Sequence, residues 1–244
     1  MKNVLLCLSL LAAGPAAVGA ARPPSLPAPT AAELKKKFAR LAVGTEGESE
    51  AFTYLMNTTP RRLVSYLKTH ELTAAGARKI NLVLSAECKD AAHLKVFTYY
   101  YDSGGTRGTV HRPVLQWQNA AGQRFAYAPF EECEFTEIYQ LASPGRRQYL
   151  LLGNDRGSGQ CFLSQAYVIE LKGNYLLVSE AAFANSTWLN ENSSNSASLV
   201  LCNVNMEFNA RRQALRMSTF KSAAEPDVEN ALFKWKGTHF AQVR

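Results

Sequence analysis

The feature that most constrains this chain is a change in hydrophobic period near residue 79. Beyond this point apolar residues recur at every second position, as in Ile80, Leu82 and Leu84. A period of two places alternate side chains on one face of an extended strand. Similar segments follow at 94–100, 115–118, 125–127, 149–152, 167–171, 175–178, 199–208, 214–220, 232–235 and 239–243. The pattern predicts a chain dominated by β-strands.

Turn signals separate these segments. Glycine or proline stands in most of the intervals: Ser103-Gly104-Gly105, Ala121-Gly122, Pro144-Gly145, Lys172-Gly173-Asn174 and Lys236-Gly237-Thr238. Consecutive strands joined by such turns form an antiparallel meander. About eleven to thirteen strands are too many for one flat sheet. We therefore expect residues 79–244 to form a sandwich, a partly closed barrel or propeller-like blades.

The preceding residues, 30–78, have a helical period. Thr30 followed by Glu33 is a capping box, which marks a helix N-terminus. A second helical stretch is predicted from Ser49 to Met56, and Pro60 suits the first turn of a third helix. The sequence thus predicts an α+β fold, mainly β, in which a helical cap precedes a large antiparallel β-meander.

The first twenty residues have the pattern of a secretory signal peptide. Lys2 supplies the positive charge, and the apolar run Val4–Ala13 is too short to span a bilayer. We predict cleavage after Ala20, followed by a proline-rich linker over residues 21–29. No later stretch resembles a transmembrane helix. The mature protein is therefore expected to be exported, to the periplasm or the cell exterior.

Four cysteines follow the predicted signal: Cys88, Cys133, Cys161 and Cys202. An even number in an oxidising compartment favours two disulfides, which we assign as Cys88–Cys133 and Cys161–Cys202. The alternative is that some of the four are ordinary buried thiols. No Cys-x-x-Cys is present, so neither a zinc site nor a redox pair is predicted.

The charge pattern argues against a nucleic-acid partner. The formal net charge is +7, but the basic clusters are far apart in the sequence: Lys35-Lys36-Lys37, Arg61-Arg62, Arg146-Arg147 and Arg211-Arg212. A nucleic-acid surface usually has a basic stripe with interleaved aromatic residues. We interpret these charges as solvated surface.

One stretch carries a family resemblance. Between His93 and Ala128 an aromatic strand, Lys95–Asp102, is followed by Gly104-Gly105-Thr106 and by a strand ending Leu115-Gln116-Trp117-Gln118. This combination resembles uncharacterised exported proteins of Bacteroidota, which pair a short helical start with a long β-meander. The closing Trp235-Lys236-Gly237-Thr238-His239-Phe240 is similar as well. The resemblance implies a fold and export, but no activity or cofactor.

Two groups of residues are candidates for catalysis. The acidic segment from Glu131 to Glu137 would place Glu132 and Glu134 about 6.6 Å apart if it is a strand, which is a spacing that glycoside hydrolysis can use. Asp102 and His111 flank a glycine-rich turn and could form an acid–base pair. We favour a solvated acidic corner and a structural histidine. A secreted hydrolase remains the alternative.

The segment Asn185–Ser196 is the candidate binding loop. Trp188 stands among polar residues that include Asn185 and Asn190, and an indole face with amide partners can hold a sugar or a peptide. The alternative is a polar insertion with Trp188 tucked against the sheet. The sequence thus favours a non-enzymatic exported protein that binds a partner protein, a small molecule or a glycan, with no metal or cofactor.

Overall fold

The computed structural model describes residues 27–44, 49–103, 108–158, 161–183, 198–219 and 229–243. Three helices precede the strands: α1 Ala31–Val43, α2 Glu50–Thr69 and α3 Ala74–Arg78. The strands are β1 Val83–Glu87, β2 Lys95–Asp102, β3 Thr109–Gln118, β4 Arg124–Tyr127, β5 Glu134–Gln140, β6 Arg147–Ser158, β7 Cys161–Lys172, β8 Tyr175–Val178, β9 Ser198–Cys202, β10 Val204–Asn209, β11 Ala214–Thr219, β12 Glu229–Trp235 and β13 Phe240–Val243. The predicted signal peptide 1–20 and the segment Asn185–Ser196 lie outside the described residues.

The helices begin at hydroxyl N-caps, as at Thr30, whose side chain accepts a hydrogen bond from the Glu33 backbone at 3.2 Å. The predicted helix break at Pro60 is wrong, because α2 continues through this proline. The ring removes one backbone donor, yet Leu55, Leu63 and Leu67 on one face of α2 remain fully packed on both sides of it. Packing of this apolar face therefore outweighs the local cost of the proline.

The strands form three open antiparallel sheets. Sheet A has the order β1-β2-β3-β4, and sheet C has the order β10-β11-β12-β13. Sheet B has the order β5-β6-β7-β8. The same edge of β7 pairs with β9 over residues 163–167 and with β8 over residues 169–172. Asn203, with a φ of 55°, joins β9 to β10 and so leads the chain from sheet B to sheet C. The predicted fold class is confirmed.

The elements are stacked as four layers: helices, sheet A, sheet B and sheet C. Phe97 and Tyr99 of sheet A pack against the helices, while Val96, from the other face of the same strand, packs against sheet B. In sheet B, Leu151 faces sheet A and Leu150 faces sheet C. Sheets A and B are thus covered on both faces, which explains the continuous apolar runs in their strands.

One of the two predicted disulfides is present. Cys161 and Cys202 are bonded, with their Cα atoms 5.2 Å apart, and they link the start of β7 to the end of β9. The predicted Cys88–Cys133 bridge is not formed, because both residues are free thiols. Cys133 is fully buried between sheets A and B, where its sulfur packs against Gly153. It serves as a small apolar core residue there.

Candidate functional site

The sequence singled out His111, and the structure gives it partners other than the predicted one. Its Nδ1 lies 3.8 Å from an Asp155 carboxylate oxygen, and its Nε2 lies 3.7 Å from one of Glu134. Asp102 instead pairs with Thr109 in the sheet register, and its Cβ packs beside Gly44. The interaction with Asp155 and, to a smaller extent, the charge of Glu134 raise the pKa of His111 despite its partial burial. His111 therefore links sheet A to two strands of sheet B.

A cysteine lies beside this histidine. The backbone N–H of Cys133 donates to the His111 carbonyl at 3.1 Å. Burial raises the pKa of the Cys133 thiol well above its ordinary value, and the nearby carboxylates of Asp155 and Glu134 add to this effect. A reactive cysteine needs the opposite environment, one that favours the thiolate. The arrangement is suited to joining two sheets and does not activate this thiol.

The carboxylates of the acidic segment engage separate partners. Glu132 accepts a hydrogen bond from the Tyr101 hydroxyl at 3.3 Å, Glu134 faces His111, and Glu137 accepts from the Tyr139 hydroxyl. Glu132 precedes β5, so it does not share a strand face with Glu134 as the sequence suggested. Each of these three carboxylates is thus held by a different neighbour.

A concave surface with exposed aromatic rings lies elsewhere, where sheets A and B meet. A cavity of about 550 Å³ is lined by residues from α2, the β3–β4 hairpin and the β7–β8 hairpin: Lys68, Trp117, Phe125, Ala126, Tyr127, Asn174, Tyr175 and Leu176. We call it the aromatic cavity. Tyr127 is 49% exposed and Tyr175 is 72% exposed, while Trp117 stacks on Phe125 with ring centroids 5.8 Å apart. Its wall therefore combines packed rings with rings open to solvent.

Local turn chemistry positions the two hairpins. In the β3–β4 turn, the Asn119 side-chain oxygen accepts from the backbone N–H groups of Ala121 and Gln123, at 3.0 and 2.9 Å. Gly173, with a φ of 60°, allows the tight β7–β8 turn. The Asn119 amide then donates to the Asn174 side-chain oxygen at 2.8 Å. This hydrogen bond joins the tips of the two hairpins across the two sheets.

A second cavity, of about 690 Å³, adjoins the first. It is lined by the same two hairpin tips and by the β5–β6 turn: Gln118, Asn119, Ala120, Gly145, Arg146, Arg147, Glu170, Leu171, Lys172, Gly173 and Leu177. We call it the basic cleft, because it has three basic side chains and one acidic one. Glu170 pairs with Arg146. Arg147 and Lys172 are exposed, and within the described part of the chain neither has an ion-pair partner.

The sequence did not reveal these two cavities. Trp117, Tyr127 and Tyr175 could be assigned to strands, but their exposure depends on how the sheets stack. Asn119 and Asn174 are 55 positions apart. The only available signal was an aromatic residue directly after the Lys172-Gly173-Asn174 turn. The predicted binding residues Trp188, Asn185 and Asn190 lie outside the described residues.

Comparison with protein-family models, curated proteins and solved structures found no match for this chain. Among the described residues, no helix is both long and apolar enough to cross a membrane. The same residues contain no group of three or more His, Cys, Asp or Glu side chains placed to hold a metal ion.

Proposed function

We propose that this chain is an exported, non-enzymatic binding protein that holds a saccharide in the aromatic cavity. The observation that carries the proposal is the exposure of Tyr127 and Tyr175 at a cavity between two sheets. Large rings left in water at a concave surface are typical of ligand sites. The rings of Tyr99 and Tyr149 are buried in the stack, and the exposed rings of Tyr54, Tyr100 and Phe162 do not line this cavity.

The chemistry of the wall suits a sugar ring. Sugars present apolar C–H faces with hydroxyls at their rim, so they pack on aromatic faces while polar groups bind the rim. The cavity offers the rings of Tyr127 and Tyr175, the amide of Asn174 and the ammonium group of Lys68. Its volume of about 550 Å³ falls within the range of small-molecule sites.

Export is supported by two features. The Cys161–Cys202 disulfide is typical of proteins from oxidising compartments. Residues 1–20 have the pattern of a signal peptide. Together they favour the periplasm or the cell exterior as the place where the ligand is met.

Hydrolysis is the second candidate function, because His111 lies between two carboxylates. A triad-like site also needs an activated nucleophile. The nearest candidate, Cys133, is buried and its pKa is raised. Binding without turnover is therefore the preferred function.

Calorimetry with a panel of neutral and acidic oligosaccharides tests the proposal. Tyr175→Ala is expected to weaken binding about fivefold, since a stacked ring contributes on the order of 1 kcal/mol. Tyr54→Ala is the matched control, because Tyr54 on α2 is 68% exposed and does not line the cavity. If no oligosaccharide binds, or if both variants weaken binding equally, the proposal is wrong.

A further inference from the structure

We infer that the saccharide is acidic, and that its carboxylates are bound in the basic cleft beside the aromatic cavity. This inference rests on the proposed function and names the ligand class of the same site. The aromatic cavity would hold a sugar ring, and the cleft would hold the carboxylates of neighbouring rings along the same oligosaccharide. The two cavities then form one extended groove.

The two cavities are neighbours because the same two hairpins line both of them. Trp117 lines the aromatic cavity, and the next residue, Gln118, lines the basic cleft. In the β7–β8 hairpin, Gly173 lines the cleft and Asn174 lines the aromatic cavity. Adjacent residues of both hairpins therefore face the two cavities, and the Asn119–Asn174 hydrogen bond fixes the hairpins to each other.

The charges along this groove select an anion. Arg146 is neutralised by Glu170, whereas Arg147 and Lys172 have no ion-pair partner among the residues that the structure describes. Lys68 adds a further positive charge at the aromatic end. Because the cavities concentrate basic groups of one sign, they raise the local concentration of an anionic ligand. A neutral oligosaccharide would leave these charges unused.

A peptide is the other anionic occupant to consider, and the edges of the groove disfavour it. A peptide that binds beside a sheet usually pairs with an exposed edge strand. The edge strands that flank the groove, β4 and β8, have only four residues each. Very short edges resist strand addition. The groove therefore offers rings and side-chain charges more than backbone partners, which fits a saccharide.

The test compares acidic oligosaccharides with their carboxyl-reduced counterparts, using tetrasaccharides of galacturonate, mannuronate and hyaluronate. Each exposed ion pair is expected to increase the affinity roughly two- to fivefold. With two such pairs, at Arg147 and Lys172, at least one acidic form should bind the wild-type protein about tenfold more tightly than its reduced form at low salt. This preference should decrease with added salt, because salt screens exposed charges.

Two double variants assign the effect to the cleft. Arg147→Gln with Lys172→Gln should abolish the preference, because the substitutions remove charge attraction from the acidic form and none from the reduced form. Lys35→Gln with Lys36→Gln makes the same change in net charge on α1, away from the groove, and should preserve the preference. Tyr175→Ala should weaken binding of both forms.

The outcomes separate the inference from the proposed function. Equal binding of the acidic and reduced forms overturns the inference and leaves the saccharide site intact. Loss of the preference in the α1 control as well would show that only total charge matters, and would also overturn it. Displacement of the oligosaccharide by poly-glutamate at equal charge concentration would identify a general polyanion site and refute the saccharide class. Failure of every oligosaccharide to bind refutes the proposed function itself.

Discussion

Removing the Cys161–Cys202 disulfide should destabilise the protein by about 4 kcal/mol. The perturbation is the double substitution Cys161→Ser with Cys202→Ser. The two cysteines are separated by 41 positions, and the chain-entropy relation for a loop of this length gives about 4 kcal/mol at 25 °C. Cys202 is exposed and Cys161 is half-buried, so little of the change should come from lost packing.

Equilibrium unfolding in urea measures this difference, with wild type and variant each examined with and without a reductant. Reductant should lower the free energy of unfolding of the wild-type protein to that of the variant, and should leave the variant unchanged. Cys88→Ser is the control, since Cys88 is a half-buried free thiol and its substitution removes no bridge. Its unfolding should remain sensitive to reductant.

Thiol titration of the unfolded, unreduced protein lacking residues 1–20 completes the test. The structure predicts two reactive thiols, from Cys88 and Cys133. Four thiols would refute the Cys161–Cys202 bridge, and none would restore the rejected Cys88–Cys133 pair. A loss of stability below about 1 kcal/mol in the double variant would refute the loop-entropy argument.

Three further predictions concern the layer between sheets A and B, and export. Because the pKa of His111 is raised in the fold, its protonation adds stability that is fully present below its ordinary pKa of about 6.5 and is lost as the pH rises through the raised value. The free energy of unfolding of the wild-type protein should therefore exceed that of His111→Gln by more at pH 5.5 than at pH 8.5. A difference that does not depend on pH would contradict this prediction. Gly153→Ala should cost about 3 kcal/mol in urea unfolding, since its Cβ would lie 2.5 Å from the Glu134 carbonyl oxygen. Gly157→Ala should cost less, because the nearest atoms to its Cβ belong to side chains, those of Leu163 at 2.9 Å and Cys161 at 3.1 Å, and not to the backbone. Residues 1–29 fused to alkaline phosphatase, which is active only when oxidised, should give activity in the bacterial periplasm, and a Leu6→Arg change in the apolar run should abolish it.

The sequence predicted local structure well because local structure depends on short-range patterns. The period of two located most of the strands, although it missed β5 and merged β9 with β10, and the turn Lys172-Gly173-Asn174 marked the β7–β8 hairpin correctly. The same patterns carry no information on which sheet faces meet. For that reason the sequence suggests Asp102 as the partner of His111, whereas the packing of sheet A on sheet B supplies Asp155.

The predictions of a helix break at Pro60 and of a second disulfide are wrong for a related physical reason. Pro60 is a strong local signal, but the apolar face of α2 is buried along its length, and this long-range packing decides the outcome. Cys133 is one of four cysteines after the predicted signal, yet its place in the apolar layer makes it a core side chain. In both cases tertiary packing overrides a local preference.

The two candidate sites lie at opposite ends of the stacked sheets, and this separates their tests. His111 is near the start of β3, whereas Gln118 at its end lines the basic cleft. Seven residues of extended strand span about 23 Å. Because the faces of sheets A and B are covered by neighbouring layers, the hairpin tips are where these sheets can present side chains to a ligand. His111→Gln should therefore leave oligosaccharide affinity unchanged, and Tyr175→Ala should leave the pH dependence of stability unchanged. If His111→Gln instead weakened ligand binding as much as Tyr175→Ala, the ligand would have to contact the His111 end of the sheets, and the groove could not be the binding site.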